Sequence, residues 1–201
     1  MNILFDLDDT LLTGDIVAAV STRLFNEKKI NKIYTNKDIK SYDLLNLPEF
    51  VRTAVCEAFN DIELAVNNKI PMKGVSYFIE YLYLKGHSLG TLTARPQKLK
   101  DATIKYLQNT FNIKWKLGNY FCNKYDTMNM TTLPDKASIL RSLNPDLYYD
   151  DNYDYAKESC EQNIKTILIS NNHTPWNNNI KIDPRIIIMK NPAFSPISWF
   201  L

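Results

Sequence analysis

The chain is 201 residues long, 45% apolar and 23% charged, which suits one soluble domain plus a small insertion and is enough to bury a real core. Its formal net charge of +2 argues against a dedicated nucleic-acid or membrane surface, but leaves room for a small phosphorylated substrate at a local positive site. Cys56, Cys122 and Cys160 lie far apart without a CxxC pair, which speaks against zinc and for free buried thiols in a reducing compartment. No apolar run is long enough to span a membrane, and Asp6, Asp8 and Asp9 interrupt the first apolar stretch where a secretory leader would be unbroken. The expectation is a cytoplasmic protein with no membrane partner.

Residues 2–5, Asn-Ile-Leu-Phe, read as a buried strand that delivers carboxylates to its C-terminal end. From Asp15 to about Lys29 the apolar positions Ile16, Val17, Val20, Leu24 and Phe25 fall near one helical face. Pro48 opens a further helix through Phe59, and another is expected from Asp61 to Asn67. Pro71 and Gly74 punctuate the chain before an amphipathic helix carrying Val75, Phe78, Ile79 and Leu82, closed by Gly86. A strand over 87–92 ends at Thr93-Ala-Arg-Pro, and a helix over 97–111 follows. A short strand near Tyr120, a helix from Asp135 to Leu143 and a strand from Asp146 to Tyr149 come next, the last ending in Asp150-Asp151. A helix from Tyr153 to Gln162 and a strand from Lys165 to Ser170 continue the alternation. Arg185 to Met189 is a final apolar run, and the aromatic tail Ile197-Ser-Trp-Phe-Leu is expected to dock on the body.

Strands alternating with helices from residue 75 onward predict right-handed βαβ units and a parallel sheet. The helical block directly after the first strand breaks that rhythm and reads as an inserted cap. The expected architecture is an α/β, three-layer, Rossmann-like parallel sheet. Residues 1–13 and 72–201 form its core, and residues 14–71 form a small helical cap.

Asp6-Leu-Asp-Asp-Thr is the most informative stretch. Three carboxylates within four residues repel one another, and a cation offsets that repulsion; oxygen ligands at the C-terminal edge of a sheet suit Mg²⁺. Taken alone, an Asp-rich turn capping a helix explains it as well. Thr93, Lys136 and Asp150-Asp151 change the balance, because each sits at or just after the end of a later strand. In a parallel sheet all four groups meet at one edge.

That order of motifs resembles the haloacid dehalogenase-like phosphatase superfamily. Its strand followed by Asp-x-Asp-x-Thr is met by Asp6, Asp8 and Thr10, its strand-end Thr by Thr93, its helix-opening Lys by Lys136, and its acidic pair by Asp150 and Asp151. The resemblance implies a Mg²⁺-dependent phosphatase in which Asp6 is the nucleophile and Asp8 the acid and base. Thr93 and Lys136 hold the phosphoryl group. Asp6, Asp8 (through its carbonyl), Asp150 and Asp151 form the metal site, with Asp151 favoured over Asp150 as the direct ligand. Asp8 has to carry a proton in the first step, so neighbouring carboxylates and Mg²⁺ are expected to set its acidity. Asp154 is either an outer-shell group or a surface acid.

An insertion after the first motif marks a cap that closes over the site and selects the substrate. The layout is similar to the 5′(3′)-deoxyribonucleotidases, which implies a small nucleotide as the partner molecule and is compatible with a homodimer. Tyr42 is the cap residue expected to stack on a base, unless it is a core tyrosine of the cap. Arg52, Ala94 and Arg95 are the expected substrate contacts. Receiver domains use similar residue types, but place no acidic pair after the Lys and have no place for the insertion. A polynucleotide 3′-phosphatase shares the same core, and a catalytically idle binding protein shares the fold.

Overall fold

The structure is a computed structural model that describes residues 1–40, 44–122, 134–171, 174–177 and 180–194. Its main sheet has six strands, all parallel: β1 (Asn2–Phe5), β4 (Ser88–Thr93), β5 (Gly118–Phe121), β6 (Leu147–Asp150), β7 (Lys165–Ile169) and β8 (Ile187–Met189). Their spatial order is β5-β4-β1-β6-β7-β8. The α/β, Rossmann-like architecture expected from the alternation is therefore present, with β1 at the centre. β2 (Leu12–Thr13) and β3 (Ile70–Pro71) form a separate antiparallel pair.

Period-two alternation along β1 builds the layers. Ile3 and Phe5 point into a core shared with Val75, Phe78, Ile79 and Leu82 of α3 (Val75–Leu84), and with Leu107 of α4 (Lys100–Thr110). Leu4, between them, points to the other face, where Ile139 and Leu140 of α5 (Lys136–Leu143) meet Leu92 and Tyr148. On the same side α6 (Tyr153–Glu161) packs Ala156 and Cys160 against Leu168. Phe5 stacks on Tyr149 with ring centroids 4.7 Å apart, joining β1 to β6 just below the acidic residues. Each fully buried aliphatic or aromatic side chain here stabilises the sheet by roughly 1.5–3 kcal/mol.

Residues between β2 and β3 form the helical insertion: α1 (Ile16–Asn26), a 3₁₀ turn over Asn36–Asp38, α2 (Glu49–Ala58) and a π-helical turn over Glu63–Asn67. Asp15 starts α1 by accepting from Ala18 N at 2.7 Å, and its other oxygen accepts from Asn36 N at 2.9 Å. The insertion has its own core of Val17, Val20, Leu24, Val51 and Val55, among others. Its last turn packs Ala65 and Val66 on Leu99, and the Tyr106 hydroxyl donates to the Lys69 carbonyl.

Two details differ from the sequence reading. The helix expected over 97–111 begins as a 3₁₀ turn at Gln97–Leu99, because Pro96 starts it from extended backbone. All three cysteines are free, but Cys56 is exposed on α2 rather than buried. The aromatic tail expected to dock lies outside the described residues. Among the described residues, no helix is long and apolar enough to cross a membrane.

Candidate active site

The site lies at the C-terminal edge of β1, β4 and β6. Asp6 follows β1, and its N–H donates to Tyr149 O at 2.8 Å, so pairing with β6 continues one residue past the strand. The chain then coils tightly. Leu11 N and Leu12 N both donate to Leu7 O, at 2.9 and 2.8 Å, and Asp9 takes a left-handed φ of 56°. Leu7, Leu11 and Leu12 are fully buried in the core. Their burial turns Asp8 outward, and its side chain keeps 27% of its exposure.

Asp135 caps α5 by accepting from Ser138 N at 2.6 Å, which starts the helix at Lys136. The Lys136 ammonium is 2.6 Å from Asp6 Oδ1 and 2.8 Å from Asp150 Oδ2, and lies 4.4 Å from the Tyr155 ring centroid. These two carboxylates come from positions 130 and 14 residues away in the chain. Asp150 is completely buried; Tyr148 OH also donates to its Oδ2, and Asn152 N donates to its Oδ1 at 2.8 Å. Asn152 in turn caps α6 through its side chain.

Asp6, Asp150 and Asp151 are all buried, and each offers a carboxylate oxygen within 4.8 Å of the others. Burial, with Asp150 and Asp8 adding to it and Lys136 opposing, pushes the Asp6 carboxyl up to about 7. Burial, then Asp150 and Asp6, pushes Asp151 well above the carboxylate range. Burial likewise lifts Asp9 to about 7, and its Oδ1 has no hydrogen-bond partner among the described residues. Lys69, Arg95 and Lys136 are cations among the described residues that act on these carboxyls. A divalent cation at this point would oppose the burial that raises Asp6, Asp9 and Asp151. An all-oxygen donor set at a sheet edge fits Mg²⁺ in hardness as well as in charge. The Asp150 carboxylate is already engaged by three protein donors, whereas no hydrogen bond reaches the Asp151 carboxylate among the described residues.

Asp8 does not behave as the sequence reading anticipated. Burial alone would raise it, but Arg95 and Lys69 outweigh burial and hold its carboxyl well below the usual range. Arg95 grips it with both arms, Nε to Oδ2 at 2.7 Å and Nη2 to Oδ1 at 2.9 Å, while Lys69 Nζ is 3.1 Å from Oδ1. Two buried cations therefore act on the charge of Asp8, in place of the neighbouring carboxylates expected to do so.

The structure brings Asp6, Asp8, Thr93, Arg95, Lys136, Asp150 and Asp151 to one edge. Thr93 ends β4 buried, its Oγ1 accepting from Arg95 N at 3.3 Å. Arg95 is spent on Asp8 and on Thr103 Oγ1, at 3.3 Å. Ala94 is half-buried against the core cluster that includes Leu92 and Tyr148. Arg52 is half-buried on α2 and pairs with none of the site carboxylates, and Asp154 is exposed on the first turn of α6. Tyr42 lies outside the described residues.

Sequence reasoning missed Lys69, Tyr148, Asn152 and Trp176. Trp176 packs on the insertion's core, and its indole N–H donates to Asp151 O at 3.3 Å; Asn177 Nδ2 donates to the same carbonyl at 2.6 Å. The two together hold the loop that carries Asp151. Asn152 closes the Tyr149-Asp-Asp-Asn stretch just before a predicted helix, where an N-cap is legible; Lys69, Tyr148 and Trp176 belong to no local motif.

Comparison of the fold with solved structures decides its type. A haloacid dehalogenase-like family hydrolase from Streptococcus pneumoniae superposes with a TM-score of 0.63 at 16% identity, covering 100% of this chain and 98% of that one. The chain has the haloacid dehalogenase-like fold. A putative phosphoglycolate phosphatase from Lactobacillus delbrueckii subsp. bulgaricus gives 0.60 at 16% identity, covering 96% and 94%. A D,D-heptose 1,7-bisphosphate phosphatase from B. bronchiseptica, complexed with magnesium and phosphate, gives 0.51 at 11% identity, covering 96% and 94%. No protein-family model and no curated protein matches the sequence.

Proposed function

We propose that this protein is a Mg²⁺-dependent phosphatase that hydrolyses phosphomonoesters through an aspartyl-phosphate on Asp6, and that its substrates are nucleoside monophosphates. The observation that carries the reading is the buried meeting of Asp6, Asp150 and Asp151 around one point, with Lys136 bridging Asp6 and Asp150 at 2.6 and 2.8 Å. The phosphatases among the fold relatives, one of them with magnesium and phosphate bound, agree with it. The nucleotide assignment rests on the sequence resemblance and on the small helical insertion beside β1.

Asp6, Asp150 and Asp151 are the residues that would hold Mg²⁺, which supplies charge neutralisation at the phosphoryl oxygens. Asp6 attacks phosphorus as the ester oxygen departs with a proton from Asp8, forming the aspartyl-phosphate. Water then attacks that phosphoryl group and returns a proton to Asp8, which frees phosphate and restores Asp6. Thr93 and Lys136 stabilise charge on the phosphoryl oxygens during both steps. The ion-paired Asp8 carboxylate is in the state needed for the second step, and the first step requires Asp8 to take up a proton against the pull of Arg95 and Lys69.

The test is a phosphate-release screen with Mg²⁺ or EDTA over ribo- and deoxyribonucleoside monophosphates and 3′-phosphorylated oligonucleotides. Mg²⁺-dependent release from mononucleotides, lost in Asp6→Asn, is expected. Release confined to the oligonucleotides points instead to a polynucleotide 3′-phosphatase, and none from any substrate points to an idle fold.

A further inference from the structure

With no hydrogen bond on its carboxylate among the described residues, Asp151 depends on its backbone to aim its side chain. The peptide that follows it is pinned at both ends. Its N–H, on Asn152, donates to Asp150 Oδ1 at 2.8 Å. Its carbonyl accepts from Asn177 Nδ2 at 2.6 Å and from Trp176 Nε1 at 3.3 Å. Both donors belong to one 3₁₀ turn, Pro175–Asn177. The end of β7 holds that turn: Asn177 Nδ2 and Thr174 Oγ1 both donate to Ile169 O, at 3.2 and 3.4 Å.

The two donors look toward different parts of the fold. Asn177 is buried and ties the Asp151 carbonyl to the sheet. Trp176 is half-buried and packs on the buried core of the insertion, the cluster that includes Val17, Leu24 and Val55. Among the described residues, every other side chain in or against that cluster lies between positions 16 and 64. The indole is one rigid body, with its N–H on the Asp151 backbone and its ring against the insertion. A shift of the insertion therefore moves a donor on Asp151 O, and a shift of Asp151 moves the indole. Linkage makes such a coupling equal in both directions.

We propose that Trp176 is a positioning residue that couples the metal site to the insertion: its N–H holds the Asp151 backbone for ligation while its ring rests on the insertion's core. Metal binding then tightens the insertion, and a well-packed insertion raises metal affinity. This rests on the reading of Asp6, Asp150 and Asp151 as the metal site.

The test titrates Mn²⁺, whose free ion gives a paramagnetic resonance signal that binding removes, into the parent, Trp176→Phe, Trp115→Phe and Asp151→Asn. Trp176→Phe keeps an aromatic ring and deletes the N–H. Trp115→Phe makes the same change in the core of the sheet, where the indole N–H has no hydrogen-bond partner among the described residues. Loss of a partner behind a metal ligand costs about 10–100-fold in affinity. Asn177 still holds the carbonyl, so Kd should rise about 10-fold in Trp176→Phe and stay as in the parent in Trp115→Phe. Hydrogen exchange reads the other direction: Mg²⁺ should slow the α1 and α2 amides about 5-fold or more in the parent, and leave them nearly unchanged in Trp176→Phe. A Trp176 that only packs would lower the urea midpoint without metal and leave both readouts as in the parent. Parental Mn²⁺ affinity in Trp176→Phe, an equal loss in Trp115→Phe, or Mg²⁺ slowing that survives in Trp176→Phe overturns the role of Trp176, while binding lost in Asp151→Asn leaves the metal-site reading standing. A parent whose α1 and α2 exchange ignores Mg²⁺ overturns it without any variant. A parent that takes up no Mn²⁺, or an Asp151→Asn that binds it as the parent does, overturns the metal-site reading, and the role of Trp176 with it.

Discussion

Replacing Lys136 with methionine removes one ammonium and leaves two carboxylates, Asp6 and Asp150, buried opposite each other. At separations of 2.6 and 2.8 Å each ion pair is worth about 6 kcal/mol of Coulomb attraction at an effective dielectric of 20. Desolvation of the three charges consumes much of that, and measured losses on breaking buried pairs run at about 3–5 kcal/mol. The tyrosine ring beneath the ammonium, at 4.4 Å, adds roughly 0.5–2 kcal/mol. The substitution should therefore lower unfolding free energy by about 3–5 kcal/mol at pH 8 in EDTA, read by urea denaturation. The loss should shrink toward pH 5. Asp6 already sits at about 7, above its ordinary 3.8, and without Lys136 it rises further. A carboxyl raised in the folded state contributes its full stability below its unfolded pKa and loses it as pH climbs through the folded value. The penalty therefore opens above about pH 7, where the parent's Asp6 ionises and the variant's more strongly raised carboxyl does not. A loss under about 1 kcal/mol at pH 8, or one that does not vary with pH, would refute the reasoning, because such a lysine would be a solvated surface group.

Mg²⁺ should stabilise the protein at pH 8 by about 2.7 kcal/mol when present at a hundredfold excess over its dissociation constant. Asp151→Asn should abolish that gain, and protons competing for Asp6 and Asp151 should diminish it toward pH 5; thermal melts with Mg²⁺ and EDTA read both. Gly90→Ala places a Cβ 2.7 Å from Leu117 Cβ and 2.8 Å from Gly118 O, between strands that cannot part, and should cost about 1–3 kcal/mol by urea denaturation. Asp15→Ala removes the cap of α1 together with the acceptor for Asn36 N and should cost about 1–2 kcal/mol. A cost near zero would mean that water replaces both bonds.

What could be read from the sequence follows from how local each signal is. The short apolar run at residues 2–5 ends in carboxylates, and that abrupt change of character marks a central strand feeding a site. Alternation of strand and helix from residue 75 placed Thr93, Lys136 and Asp150 at one edge, because parallel strands all end on the same side. β2 and β3 have only two residues each, too few for any period to emerge, so the paired crossings of the insertion went unseen. Lys69 is one lysine among many until the fold carries it to Asp8. Arg95 was expected to touch the substrate, but the Asp8 carboxylate claims its guanidinium. Its pairing with Asp8 is a contact 87 positions apart in the chain, which no local pattern predicts.

Chemical trapping at residue 6 tests the central claim most directly. Asp8→Asn should slow release of the phosphoryl group from Asp6 more than its capture from p-nitrophenyl phosphate. Acid quench during turnover with Mg²⁺, followed by borohydride reduction and peptide mass analysis, should then reveal homoserine at position 6. Intact aspartate there under steady turnover, or a reduced carboxyl at Asp9, Asp150 or Asp151, would contradict the account.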